Sequence, residues 1–309
     1  YTYALQGDQS SSRFSLGAGV ERSSNTALVA SRVYPSIDYV WERNWPDATF
    51  ELRASLAEDS TRNTEFDDVG QVTVDSRERT VLAAGAWTGE LTERSRFAMS
   101  VNAARVSYDT ATLVGYQEVR FVGRMAWDAR ERKSVFLEPA YFHLSPSGSA
   151  RDSRQLRMTG GLRIELNPEW AFSGFAGLAR TRSGTTRDGA LGGFLLTHSG
   201  ERLSSELEAN RDLSVAGVAG LYLRTENVRL RLGYRMAEGA TLSASFSRVK
   251  SSGASASRGT EARLTLENEL NRDLTSTLGV EGRRSTSLGG STGKGWALRA
   301  GLTYVYSGR

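Results

Sequence analysis

Apolar and polar residues alternate with a period of two along almost the whole chain. In RFSLGAGVE the apolar set is Phe14, Leu16, Ala18 and Val20, while Arg13, Ser15, Gly17, Gly19 and Glu21 fill the places between. TFELRASLA repeats the pattern with Phe50, Leu52, Ala54 and Leu56 against Thr49, Glu51, Arg53 and Ser55. QLRMTGGLRIEL, VRLRLGYRM and EARLTLENEL continue it, with charges at the alternate positions. Successive side chains of a strand point to opposite faces, so each segment predicts a strand with one apolar and one strongly polar face. Helical 3.6-residue periodicity is scarce.

A slower rhythm punctuates the strands. Short polar turns fall at RNWPD (43–47), LTERS (91–95), ARERK (129–133), LNPE (166–169), SGER (199–202), MAEG (236–239) and LNRD (270–273), roughly 33 to 48 residues apart, the length of a repeated hairpin. Longer Ser-, Gly- and Asp-rich links alternate with them: EDSTRNTEFDDVGQVTVDS, SPSGSARDSR, TRSGTTRDG and VKSSGASASRG. Seven short turns joining eight hairpins predict sixteen strands, at 13–22, 33–43, 48–58, 79–90, 96–108, 115–129, 134–145, 154–166, 169–182, 188–199, 202–212, 225–237, 240–251, 259–270, 274–286 and 294–307. The alternative of eighteen adds YTYALQG and SVAGVAGLYL (214–223), the latter also readable as a folded loop. In domain terms, residues 1–12 form an N-terminal segment, periplasmic or an extra strand, and 13–309 form one domain.

Composition limits what these strands can build. The chain has 309 residues, 39% hydrophobic and 24% charged, which suits an ordered structure. It has no cysteine, so neither disulfides nor thiolate metal sites contribute. A net charge of +4, with basic residues scattered singly among acidic ones, argues against a nucleic-acid partner. No apolar run reaches the ~18–20 residues of a membrane-spanning helix, but strands that are apolar only at every second position escape that test. A soluble propeller or double sandwich would need a second layer to cover sixteen one-sided apolar strands. The chain offers none, whereas lipid would cover them. The expected fold is therefore all-β: a single antiparallel, up-and-down transmembrane β-barrel with short periplasmic turns and longer extracellular loops. Its place would be the bacterial outer membrane, in contact with outer-membrane lipid. A chain that opens on Tyr1 matches an exported protein after loss of its signal peptide.

Tryptophans and charges sort within this frame. Trp41, Trp45, Trp87, Trp127 and Trp170 all fall within about five residues of a short turn, which would bring them to one rim as an aromatic girdle at headgroup level. Trp296 would sit at the opposite rim. By parity the charged face lines a lumen through Arg53, Arg120, Arg124, Arg157, Arg163, Arg229, Arg231, Arg235, Arg263, Arg283 and Arg299, with Glu51, Glu118, Glu165, Glu206, Glu261 and Glu281 among the acids. These charges either brace the wall as cross-strand ion pairs or give a polar path for a solute. Tyr116, Phe136 and Phe142 are inward aromatics by the same parity, and 59–78 and 213–224 are the candidates for a loop folded into the lumen. His143 and His198, the only histidines, have no metal-ligand spacing, and no phosphate-binding loop is present. No catalytic residue, cofactor or metal is assigned. The chain reads as a non-enzyme, although a Ser–His pair could assemble in space.

Two resemblances add to this. The end of the chain, RAGLTYVY, resembles the C-terminal signal read by the outer-membrane barrel-assembly machinery, mapped here onto Arg299, Gly301, Tyr304 and Tyr306. The tail SGR departs from it, since many such proteins end on the aromatic. The run GAGVERSSNTALVASRVYPSIDYVWERN, with hairpins turning at ELTERSR and ELNPEW, resembles the outer-membrane β-barrel porins encoded with exopolysaccharide and exosortase clusters. That likeness implies a conduit for export of a surface polysaccharide, with a periplasmic export partner on a separate chain. Three functions stay open: a polysaccharide conduit, a general or solute-selective diffusion porin, and a structural barrel sealed by a partner protein.

Overall fold

Seventeen strands form one antiparallel sheet in this computed structural model, which describes residues 2–21, 32–61, 75–148, 151–216, 221–252, 256–271, 274–287 and 292–304. In chain order they are β1 (Thr2–Gln6), β2 (Ser10–Glu21), β3 (Arg32–Asn44), β4 (Ala48–Ser60), β5 (Arg77–Thr92), β6 (Ser95–Tyr108), β7 (Tyr116–Arg130) and β8 (Lys133–Pro146). There follow β9 (Ser153–Glu165), β10 (Trp170–Ser183), β11 (Thr185–Ser199), β12 (Leu203–Ala216), β13 (Leu221–Ala237), β14 (Ala240–Ser252), β15 (Ser257–Asn271), β16 (Leu274–Ser287) and β17 (Thr292–Tyr304). Each strand pairs with the next in sequence, from β1–β2 to β16–β17, an up-and-down meander. Among the described residues no register joins β17 to β1, and the sheet is not closed.

The sixteen expected strands correspond one to one with β2–β17, and YTYALQG supplies β1. Among its described residues SVAGVAGLYL makes no strand of its own: Ser214–Ala216 prolong β12, and Leu221–Leu223 begin β13. The link TRSGTTRDG is not a long loop, because β10 and β11 run through it to Gly184 (φ 75°), with Ser183 opposite Thr185. At that end both strand faces are polar, so the alternation fades from the sequence while the backbone ladder continues. Local chemistry fixes the short turns at the other end. The Asn167 side chain accepts from the Glu169 and Trp170 amides at 2.9 and 2.8 Å, and Gly239 takes φ 76° between β13 and β14.

The two faces of the sheet are sorted inversely to those of a soluble protein. Leu52, Val81, Met99, Phe121, Leu137, Leu156, Leu178, Leu264 and Leu298 are exposed at successive outward positions. On the other face Glu118 and Glu281 are only 3% exposed and Gln155 1%. Apolar outside and charged inside is the arrangement that lipid stabilises and water does not. Buried apolar side chains on the inner face gather at the long-loop end: Val106, Leu144, Leu191, Leu223 and Val249. Close approaches between backbones are also inward. A Cβ on Gly193 would meet the Ala209 carbonyl at 2.7 Å and the Phe175 ring at 2.9 Å, so only glycine fits beneath that ring.

Candidate functional site: the inner face of the sheet

Strand parity fixes where the charges meet, because residues directly opposite on neighbouring strands share a face. Arg53 of β4 reaches Asp38 of β3 at 2.8 Å, and Arg120 holds Glu118 on its own strand β7 at 2.6 Å. Arg124 and Glu138 lie 3.8 Å apart, Arg163 and Glu165 3.9 Å, and Arg231 pairs with Glu206. The densest group spans β15–β17. Glu281 takes Arg263 at 2.9 Å, Arg299 at 3.1 Å and Arg283, while Glu261 takes Arg263 at 3.0 Å and Arg283 at 2.9 Å. Ion pairs thus brace the inner face on β3–β4, β7–β9, β12–β13 and β15–β17.

A few inward charges stand apart. Among the described residues Glu51, Arg229 and Arg235 make no ion pair. Glu51 stands opposite Glu42, and Arg229 opposite Glu208, which accepts from Asn210 at 2.6 Å instead. Two of the three inward aromatics lie under cations: Arg124 lies 3.9 Å over Phe136, and Arg157 and Arg120 lie 5.0 and 5.8 Å over Phe142. Such cation–π contacts occupy the ring faces a sugar would stack on.

One hairpin parts from the strand before it while staying paired with the strand after it as far as Arg224. The β11–β12 ladder runs only from Gly192 opposite Arg211 to Ser199 opposite Ser204, yet β12 continues to Ala216, paired with β13 along that length. Beyond residue 211 the β12–β13 hairpin therefore has no β11 neighbour. Its side chains instead reach strands that are not its neighbours in the sheet. Asp212 pairs with Arg157 of β9, and the Tyr222 hydroxyl donates to Glu118 of β7 at 2.7 Å. Val215 and Leu223 of the hairpin are buried, as are Leu144 and Phe142 of β8. Of the two segments expected to fold inward, 213–216 and 221–224 hold this position while 217–220 lie outside the described residues; most of the other, 62–74, lies outside them too. Asp212 and Tyr222 were not singled out from the sequence. The signal that could have found them is the apolar run SVAGVAGLYL at the long-loop end, where a solvated loop would be polar.

Below the hairpin, towards the short turns, an inner-face recess of about 440 Å³ lies on β11–β15. Thr197, Ser204, Ser243, Ser245 and Thr265 line it, together with Arg231, Glu206 and Arg263. It is rich in hydroxyls that both donate and accept, beside one ion pair.

The remaining sequence-marked residues lie elsewhere. Trp45, Trp87 and Trp127 are exposed on the outward face near the short turns; Trp41 packs edge-on against Phe50 and Trp87 against Phe97. Trp170 stacks on His198 at 4.6 Å, while Trp296 is exposed towards the other rim. Arg299 joins the Glu281 cluster, Gly301 stands opposite Thr277, Tyr304 ends β17, and Tyr306 lies outside the described residues. His143 meets Ser145 Oγ at 3.2 Å and Asp152 at 3.7 Å, both through Nε2. A Ser–His–acid relay needs the two partners on different ring nitrogens, so this trio does not form one. Among the described residues no group of three metal-ligating side chains comes together.

No protein-family description matches the chain, and no curated protein matches its sequence. Solved structures do. The FrpB iron transporter from Neisseria meningitidis superposes with a TM-score of 0.57 at 10% identity, over 98% of this chain and 64% of that one. The ferric yersiniabactin uptake receptor FyuA from Yersinia pestis gives 0.50 at 12%, over 100% and 63%. A variant of the ferric enterobactin receptor PfeA from Pseudomonas aeruginosa gives 0.53 at 12%, over 99% and 70%. This chain spans about three-fifths of the first two structures. At such identities the likeness concerns architecture, and the architecture is the outer-membrane β-barrel.

Proposed function

We propose that the protein is an outer-membrane channel, lodged in the bilayer by its apolar outer face, that passes small polar solutes through a lumen narrowed by the β12–β13 hairpin. The observation that carries this is the pair of contacts from Asp212 to Arg157 and from Tyr222 to Glu118, which hold the end of the hairpin against β7–β9. The hydroxyl-lined recess is the resting place for such a solute, since hydroxyls and the Arg231–Glu206 pair can exchange hydrogen bonds with a polyhydroxylated molecule. The neighbours named for iron and ferric-siderophore uptake support passage of a solute, not a particular one. Export of a surface polysaccharide, with its periplasmic partner, is the narrower alternative. It calls for open stacking surfaces, and Phe136 and Phe142 lie under arginines. Insertion by the barrel-assembly machinery through the last strand accompanies either reading.

Proteoliposome swelling tests the proposal. Small polyols and monosaccharides should enter and long oligosaccharides should not. A recess-filling Ser245→Phe variant should slow monosaccharide entry while leaving a small ion's conductance nearly unchanged. Equal entry of every solute size would reject the narrowed channel, and indifference to Ser245→Phe would reject the recess.

A further inference from the structure

The outward face at the long-loop rim carries cations in an arrangement that the sheet itself does not explain. Arg154 stands directly opposite Arg182 on β9–β10, Lys250 opposite Arg258 on β14–β15, and Arg284 opposite Lys294 on β16–β17. All six are exposed. Among the described residues only Lys250 has an ion partner, Glu226 at 3.7 Å. Like charges directly opposite one another destabilise a sheet, so three such pairs on one rim call for an external anion. The outward face at the short-turn rim carries tryptophans, and one further opposed pair, Arg130 and Lys133, at the β7–β8 turn.

Beside the first pair lies a second, independent feature. An apolar groove of about 690 Å³ opens on the outward face of β6–β11, lined by Met99, Phe121, Tyr141, Leu156, Met158 and Leu178. It ends at Arg180, which stands opposite Leu156 and is engaged by Asp188 at 2.8 and 3.1 Å. The Arg154–Arg182 pair is the next outward row beyond it. The acids nearby are already directed elsewhere: Asp188 to Arg180, and Asp152 towards His143, which stands opposite Arg154.

We propose that this groove and the Arg154–Arg182 pair form a docking site for one phosphorylated, acylated glycolipid of the outer leaflet, a lipid A-type molecule. Acyl chains fill the groove along β6–β10, and a phosphate bridges the two guanidiniums, turning a repulsive pair into a shared bidentate anion site. The other two cation pairs extend the same phosphate-level belt around the rim. The inference rests on the outer-membrane placement proposed above but not on what the lumen passes.

Native mass spectrometry of the intact protein in mild detergent tests it, with diphosphoryl lipid A, enzymatically dephosphorylated lipid A and inorganic phosphate as probes. Wild type should retain one diphosphoryl lipid A. R154Q/R182Q should weaken that binding on the order of tenfold or more, given ~1 kcal/mol per basic residue at an anionic surface. R154K/R182K should restore most of it, and Met158→Trp should lower occupancy by filling the groove without altering charge. Dephosphorylated lipid should bind wild type as weakly as diphosphoryl lipid binds the glutamine variant, and millimolar phosphate should not compete. Equal retention of both lipids by wild type would overturn the proposal, even if the glutamine variant failed to fold. Effective competition by inorganic phosphate would reassign the site to a free anion and overturn the lipid.

Discussion

Replacing Glu281 with glutamine should loosen the last three strands far more than removing any one of its arginines. Its carboxylate is 3% exposed and meets Arg263, Arg283 and Arg299, whose side chains are 39%, 19% and 53% exposed. Two unit charges about 4 Å apart attract by about 4 kcal/mol at an effective dielectric of ~20, and repulsion among the arginines and desolvation of the acid offset much of that sum. Removing one partner of a buried pair costs about 3–5 kcal/mol. Water reaches Arg263 and Arg299, so the loss here is discounted to about 2–4 kcal/mol. Arg299→Ala should cost about 1 kcal/mol or less, because Glu281 keeps Arg263 and Arg283. Urea unfolding in micelles, followed by tryptophan fluorescence, reads the difference as a shift in midpoint at constant slope. Equal midpoints for the two variants would refute the view that the acid, rather than each arginine, organises the cluster.

Other expectations follow from the same geometry. Gly193→Val, which drives a side chain into the Ala209 carbonyl and the Phe175 ring, should cost about 1–3 kcal/mol or block folding; Ala209→Gly, which leaves that carbonyl in place, should not rescue it. Tyr304→Ala with Tyr306→Ala should reduce the amount of protein reaching the outer membrane in cells yet leave refolding of purified protein in detergent unchanged. A parallel loss in both settings would make these tyrosines structural rather than a signal.

What the sequence discloses and what it withholds divide along physical lines. Strands β2–β17 were legible because lipid on one side and charge on the other impose a period of two, and turn residues such as Asn167 and Gly239 act within a few positions of themselves. The legibility fades at Gly184, where both faces of β10 and β11 are polar and the hydrogen-bond ladder alone sustains the strands. Parity placed Arg120, Arg157 and Glu118 on one face but could not pair them. The Tyr222–Glu118 hydrogen bond joins residues 104 positions apart, and Asp212–Arg157 joins β12 to β9 rather than to a neighbour. Those contacts depend on where β12 parts from β11, a choice that local propensity does not encode. The lipid-facing groove is hidden for a similar reason, since its lining is drawn from alternate positions of several strands.

The most direct test of the narrowed lumen is single-channel conductance in a planar bilayer, comparing wild type with the Asp212→Ala/Tyr222→Phe double variant. Each lost contact is a hydrogen bond to a charged group, worth about 1.5–3 kcal/mol, enough together to shift the hairpin's equilibrium away from the wall it now braces by a factor of ~100 or more. A small, steady wild-type conductance that becomes larger or flickers in the double variant is the predicted result. A wild-type conductance already that of an unobstructed barrel, and unchanged in the double variant, would contradict the account.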